Sequence, residues 1–198
     1  MSLNHTIANH MGSFNGKGLY DPSFEHDACG VGFVASISGE RSEKILKTAI
    51  GCVSALSHRG AMDADAKTGD GAGVLTQIPY EIFRPEVEKL GHKLFSDSDL
   101  AVGFFFLPKD NAYEQAFCRK VVEETLSKKK LFVFGWRKVP VQMSVLGDKA
   151  LLTCPEMEQV LIGKPEDDLI RAEEYEQVLY LARSEIEYRI TKAGIENF

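Results

Sequence analysis

The chain has 198 residues, with 23 Lys and Arg against 29 Asp and Glu for a formal net charge of −6, and 44% of its residues are hydrophobic. That composition describes one soluble globular domain: long enough to bury a core without disulfide staples, too apolar for a disordered chain, and without the Pro and Gly excess of a fibrous one. The acidic balance argues against nucleic-acid and anionic-membrane binders, which need a basic surface to capture phosphates, and the run Lys128-Lys129-Lys130 is too short to overturn it.

Residues 1–28 carry Asn, His, Ser, Gly and Pro with few aliphatics, the composition of an extended leader. They lack the cationic start and continuous apolar stretch of a secretory signal. From 31 to 37 the run Val-Gly-Phe-Val-Ala-Ser-Ile reads as a strand closed by Gly39 and Glu40. Ile45, Leu46, Ala49, Ile50, Val53 and Leu56 then recur at helical spacing behind Ser42 as cap, with Gly60 as terminator. Residues 60–73 hold several glycines and turn-forming aspartates and read as a loop with unusual backbone angles, held around something. A strand is expected at 74–78, and a short helix at 81–90 opened or broken by Pro85. A buried strand follows at 100–107, then a helix at 112–127 and an aromatic strand at 131–136 that stops before Pro140. Further strand is expected through the 140s and 150s, punctuated by Pro155, and then a long helix through Ile170, Tyr175, Val178, Leu179, Ala182, Ile186 and Ile190 to Gly194 as its cap. Trp136 and the phenylalanines at 104–106 read as core. The longest apolar run, 100–107, is too short to span a membrane.

The motifs discriminate more sharply than the elements. Gly30-Val-Gly32-Phe-Val-Ala35 matches a dinucleotide-binding G-x-G-x-x-A in letters only, because that turn needs a strand before it and a helix after it. Thr68-Gly-Asp-Gly-Ala-Gly73 lacks the Gly-Lys-Ser/Thr of a phosphate-cradling loop, and a tight substrate-facing loop is the better reading. Asp63, Asp65 and Asp70 do not have calcium-loop spacing and read as turn-makers. Cys29, Cys52, Cys118 and Cys154 form no C-x-x-C pair, which argues against a cysteine metal site and for a reducing, cytoplasmic compartment.

Cys29 stands where the leader meets a glycine-rich strand. Removal of residues 1–28 would make it an N-terminus bearing a thiol and a free α-amine. An α-amine titrates near 7.7–8.0, so one residue would then hold both the nucleophile and the base that deprotonates it. Arg59 lies at a helix end facing the loop. Its residue type fits either solvated complementation of the helix C-terminus or a bidentate clamp on a substrate carboxylate, and His58 is open to the same two readings.

Three strings carry a resemblance. Tyr20-Asp-Pro-Ser-Phe-Glu-His-Asp-Ala-Cys29-Gly-Val-Gly-Phe-Val-Ala, then His58-Arg-Gly-Ala, then Asp65-Ala-Lys-Thr-Gly-Asp-Gly-Ala-Gly73 resemble the N-terminal region of the large (alpha) subunit of glutamate synthases, with similarity over essentially the whole chain. The resemblance implies an α+β class II glutamine amidotransferase domain with the αββα sandwich of N-terminal nucleophile hydrolases, incomplete in this chain. It implies a propeptide over 1–28, self-cleavage between Ala28 and Cys29, and the N-terminal part of the domain over 29–198. Cys29 matches the family's nucleophile and Arg59 the arginine that binds the glutamine α-carboxylate. Gly60, Thr68, Gly69, Asp70 and Gly71 fall in a signature loop bordering the site. Met62-Asp63 departs from the Cys-Gly frequent there.

The implied activity is glutamine hydrolysis that supplies ammonia for glutamate biosynthesis from 2-oxoglutarate. The implied partners are glutamine, the remainder of the glutamate synthase polypeptide and its small subunit, with no nucleic acid and no membrane. FMN and an iron–sulfur cluster belong to the oxidoreductase part of the full family enzyme, and none is expected in this segment. The family's oxyanion hole uses an Asn-Gly pair, yet the only one in this sequence is Asn15-Gly16, in the leader. The segment alone is therefore expected to be nearly inactive, and a non-catalytic remnant or glutamine-binding module stands as the alternative reading.

Overall fold

The computed structural model describes residues 30–60, 64–65, 67–94, 96–164 and 171–195. Expectations for the leader, Ala28, Cys29, Met62, Asp63 and Ile170 lie outside these residues. The first described element is helix α1, Glu43–Ala55. Ser42 is its N-cap, the hydroxyl accepting from Ile45 N at 3.4 Å, and Glu43 complements the polarised first turn. A 3-10 turn over Leu56–Arg59 carries the chain to Gly60. Helix α1 buries none of its residues, so the apolar stripe through Leu46 and Ile50 stays exposed.

Helix α2, Tyr80–Lys89, contains Pro85 in its interior; the proline neither opens nor breaks it. The missing N–H gives up one bond to the Glu81 carbonyl, while Phe83 and Val87, buried on either side, keep the helix seated. The chain then runs through strand β1, Leu100–Leu107; helix α3, Ala112–Lys128; strand β2, Phe132–Lys138; the short helix α4, Asp148–Thr153; strand β3, Glu156–Gly163; and helix α5, Ala172–Lys192. The strands form one sheet in the order β1-β3-β2, with both outer strands antiparallel to β3. β1 and β2 are therefore parallel, joined through α3, and β3 fills the slot between them.

The central position of β3 follows from its sequence. Val160, Leu161 and Ile162 form a continuous buried run, as a strand covered on both faces requires. On one face Val160 and Ile162 pack with Ala101, Val133 and Trp136 against Cys118, Val121, Val122 and Leu126 of α3 and Ala182, Ile186 and Ile190 of α5. On the other, Leu161 packs with Leu100, Val102 and Phe134 against Phe83 and Val87 of α2 and against Leu94. Arg189 of α5 fastens the two long helices together, donating to Thr125 Oγ1 at 2.8 Å and to Glu124 Oε2 at 2.6 Å. Glu158 of β3 and Arg119 of α3 form a bidentate pair with both contacts at 2.7 Å.

Helix α5 ends as its glycine predicts. Gly194 adopts φ +81°, its N–H bonds Thr191 O at 3.0 Å and the Ile195 N–H bonds Ile190 O at 3.4 Å, the paired closure of a Schellman motif with Ile195 buried against the core.

Several expectations are corrected. Residues 31–37 and 74–78 form no strand. Neither segment has a ladder partner among the described residues, and Val31, Phe33, Ile37 and Leu75 are almost fully exposed. β1 is an edge strand and not a wholly buried one, so Phe105 reaches the core while Phe104 and Phe106 remain about half exposed. The 140s hold a 3-10 turn, Met143–Val145, and the start of α4, and the strand begins only after Pro155. Among the described residues no helix is long and apolar enough to cross a membrane.

Candidate active site

The glycine-rich segment is a loop, as its composition predicts, but Gly60, Gly71 and Gly73 do not need unusual angles. Gly60 has φ −80° and ψ 142°, and Gly71 and Gly73 lie outside the left-handed region. Among the described residues, a Cβ at Gly71 or Gly73 would meet nothing within 4 Å.

The predicted site residues come from three separate stretches, and the backbone draws their neighbours together. Gly30, which follows Cys29, lies against the 3-10 turn that ends at Arg59: a Cβ on it would fall 2.8 Å from Leu56 Cδ1. Gly60, which follows Arg59, has its N–H on Ser57 O at 3.2 Å, and a Cβ there would sit 3.9 Å from Asp70 Oδ2. The residue after the predicted nucleophile, the turn carrying the predicted carboxylate clamp and the signature loop are thus contiguous. Cys29 and Ala28 themselves lie outside the described residues, and the arginine is placed by its backbone.

Thr68 is held by Asp65. Asp65 Oδ1 accepts from Lys67 N at 3.0 Å and Thr68 N at 2.7 Å, and Oδ2 accepts from Thr68 Oγ1 at 2.5 Å. The Thr68 hydroxyl and these amides hold the Asp65 carboxyl far below the ordinary aspartate range. Gly69 makes an isolated bridge and Asp70 and Gly71 continue in extended, irregular backbone. Asp65 is therefore a turn-maker, as its spacing suggests, but one whose turn abuts a residue that sequence reasoning misses entirely, Gly147. The Asp-x-x-Thr pattern signals the turn; nothing local signals its neighbour.

The described cysteines do not converge. Cys52 is exposed on α1, Cys118 is buried in α3, and Cys154 is buried beside Met143, with its Sγ 4.0 Å from Met143 Sδ. Among the described residues no group of three or more His, Cys, Asp or Glu side chains could hold a metal ion.

Residues 29–198 match the family of class II glutamine amidotransferases. The chain is 40% identical over 179 residues to the glutamate synthase [NADPH] large chain of Azospirillum brasilense, a match spanning 90% of this chain and 12% of that one. It is 37% identical over 169 residues to the ferredoxin-dependent glutamate synthase 2, chloroplastic, of Arabidopsis thaliana, spanning 85% of this chain and 10% of the relative. With the glutamate synthase [NADH] of Saccharomyces cerevisiae it shares 39% identity over 194 residues, spanning 92% and 9%. The chain spans about a tenth of the length of these relatives.

Proposed function

The chain belongs to the class II glutamine amidotransferases, and from that premise we propose that it is the glutaminase part of a cytoplasmic glutamate synthase, working through Cys29 as an N-terminal nucleophile. Cleavage of the Ala28–Cys29 bond frees the α-amine, which takes the thiol proton. The thiolate attacks the side-chain amide carbon of glutamine, and the amine returns the proton to the departing nitrogen, so that ammonia leaves and a γ-glutamyl thioester forms. The same amine then deprotonates a water, which attacks the thioester and releases glutamate and the thiol. Arg59 holds the substrate α-carboxylate in a bidentate contact, and Gly60 with Thr68, Gly69, Asp70 and Gly71 forms the wall beside it. The ammonia passes to the rest of the polypeptide, where the family's FMN and iron–sulfur chemistry makes glutamate from 2-oxoglutarate; no step of the glutaminase reaction runs through those groups.

The observation that carries this reading is the contiguity of Gly30 with Leu56 and of Gly60 with Asp70, which joins the three matching strings into one locus. The family match begins at Cys29, which supports the division into a propeptide over 1–28 and an amidotransferase segment over 29–198. The αββα sandwich is supported by the mixed helix and sheet architecture, by the half-exposed Phe104 and Phe106, and by two β-prone segments, 31–37 and 74–78, with apolar side chains left uncovered.

Intact mass and ammonia release test it together. The mass should lack residues 1–28, and ammonia release from glutamine, measured for the chain alone and joined to the remainder of a glutamate synthase, should vanish in Cys29→Ala. The joined form should exceed the isolated chain by about 100-fold or more, the usual effect of an oxyanion donor. Retention of Met1, or turnover that survives loss of the thiol, refutes the assignment.

A further inference from the structure

A contact that ties the glycine-rich loop to α4 involves two residues, Asp65 and Gly147, with no place in the chemistry above. The turn closed by Asp65 onto Thr68 is pressed against Gly147, the N-cap of α4. A Cβ at Gly147 would lie 2.2 Å from Thr68 Oγ1, 2.4 Å from Asp65 Oδ2 and 2.7 Å from Thr68 N. Side chains do not approach that closely, and the Thr68 nitrogen is backbone that cannot swing aside. Gly147 has φ −73°, so the requirement for glycine there is one of space and not of conformation. The backbone N–H of Lys149, in the first turn of α4, also bonds the Asp65 carboxylate. The loop is thus fastened at one end to α4 and, a few residues on, meets Gly60 through Asp70.

We propose that Asp65 and Gly147 form a clamp, closed through Thr68, that sets the position of the loop against the Arg59 turn and so the affinity for glutamine. The inference rests on the glutaminase reading. Both are positioning residues: neither touches substrate, and each acts through the placement of Thr68 to Gly71.

The test titrates glutamine into the full chain, followed by amide proton–nitrogen spectra, for the wild type, Asp65→Asn, Asp65→Ala, Gly147→Ala and the double Asp65→Ala/Gly147→Ala, with melting temperatures measured alongside. Asp65→Ala and Gly147→Ala should each raise the glutamine Kd roughly tenfold, the scale set by losing charge-assisted hydrogen bonds. Each should also shift the amide resonances of Gly60 and Asp70. The double variant should bind about as well as either single one, because both open the same contact. Asp65→Asn keeps an oxygen for the Lys67 and Thr68 amides and should fall between, a partial rescue that loss of fold alone would not give. If Asp65→Ala does not fold, Asp65→Asn and Gly147→Ala carry the same comparison. Variants that bind like a binding-competent wild type, or losses that add and merely follow the melting temperature, overturn the clamp alone. A wild type without saturable glutamine binding overturns the glutaminase reading and the clamp with it.

Discussion

Replacing Arg119 by Met removes one partner of the most enclosed ion pair described. Glu158 projects from the central strand with its side chain 6% exposed, and each of its oxygens accepts a guanidinium N–H at 2.7 Å. The substitution leaves that carboxylate in a helix–sheet interface with its principal donors gone. Stranding one half of a buried pair costs about 3–5 kcal/mol. Two features place this case at the lower end, about 3 kcal/mol: the Arg119 side is 29% exposed and admits water, and Lys138 lies opposite Glu158 in the β2 register. For a domain of this size that corresponds to a fall in Tm of roughly 6–12 °C. Urea unfolding followed by circular dichroism reads the free energy directly, with an unchanged m value showing that the unfolded state is the same. The double variant Arg119→Met/Glu158→Met should recover most of the loss, because exchanging the whole pair for apolar side chains removes the stranded charge. A single variant that loses less than about 1 kcal/mol, or a double variant as damaged as the single, would refute the reasoning.

Two further outcomes follow from the titratable groups. Burial, reinforced by the charge of Glu114, pushes the Cys118 thiol up to about 11, whereas Cys52 is exposed on α1. Iodoacetamide at pH 8 should therefore modify Cys52 in the native chain and reach Cys118 only on unfolding, and peptide mapping that finds both alkylated at one rate would contradict the burial. Asp65 has its carboxyl held below the ordinary value by the Thr68 hydroxyl and amide and the Lys67 amide, so its contribution is fully present above the unfolded aspartate value and is lost as pH falls below it. Urea midpoints from pH 6 down to 2 should thus fall more steeply for the wild type than for Asp65→Asn, and parallel curves would show that this carboxylate contributes nothing to acid sensitivity.

Where sequence and structure agree, one local signal coincides with a demand that the whole fold also makes. Ser42 caps α1 because its hydroxyl can reach Ile45 N whatever lies beyond, and Gly194 ends α5 because only a glycine enters φ +81° without strain. β1 is legible from its apolar run to the residue, but the letters 100–107 are apolar throughout and cannot say which side is covered. That is decided by what packs on each face: Ala101 and Phe105 meet the α3 and α5 side, while α2 packs on the other face at Leu100 and Val102 and leaves Phe104 and Phe106 about half exposed. The expected strands at 31–37 and 74–78 fail for a related reason: β-branched and aromatic residues record a preference for a pleated surface, while a strand exists only where another backbone supplies its hydrogen bonds. Pro85 is the opposite case, a strong local breaker overridden because Phe83 and Val87 bury on both sides of it.

The site divides along the same line. Cys29, Arg59 and the Thr68 to Gly73 string are recognisable because each carries its chemistry within a few residues. The glycine beside the nucleophile has a second use, visible only in three dimensions: Gly30 lets the segment after Cys29 lie on Leu56, while Gly60 marks where the arginine turn comes within contact distance of Asp70. Neither contact follows from spacing, since each joins stretches separated by a helix or a loop. Gly147 is the extreme instance. In sequence it is an ordinary glycine in a stretch read as strand, and its φ would suit any residue; what excludes a side chain is the arrival of Thr68 and Asp65 from another part of the chain. A local motif can thus name the groups that act, whereas the residues that hold those groups in register are chosen by contacts distant in sequence, and a glycine with an ordinary backbone angle and no room for a Cβ is the mark such contacts leave.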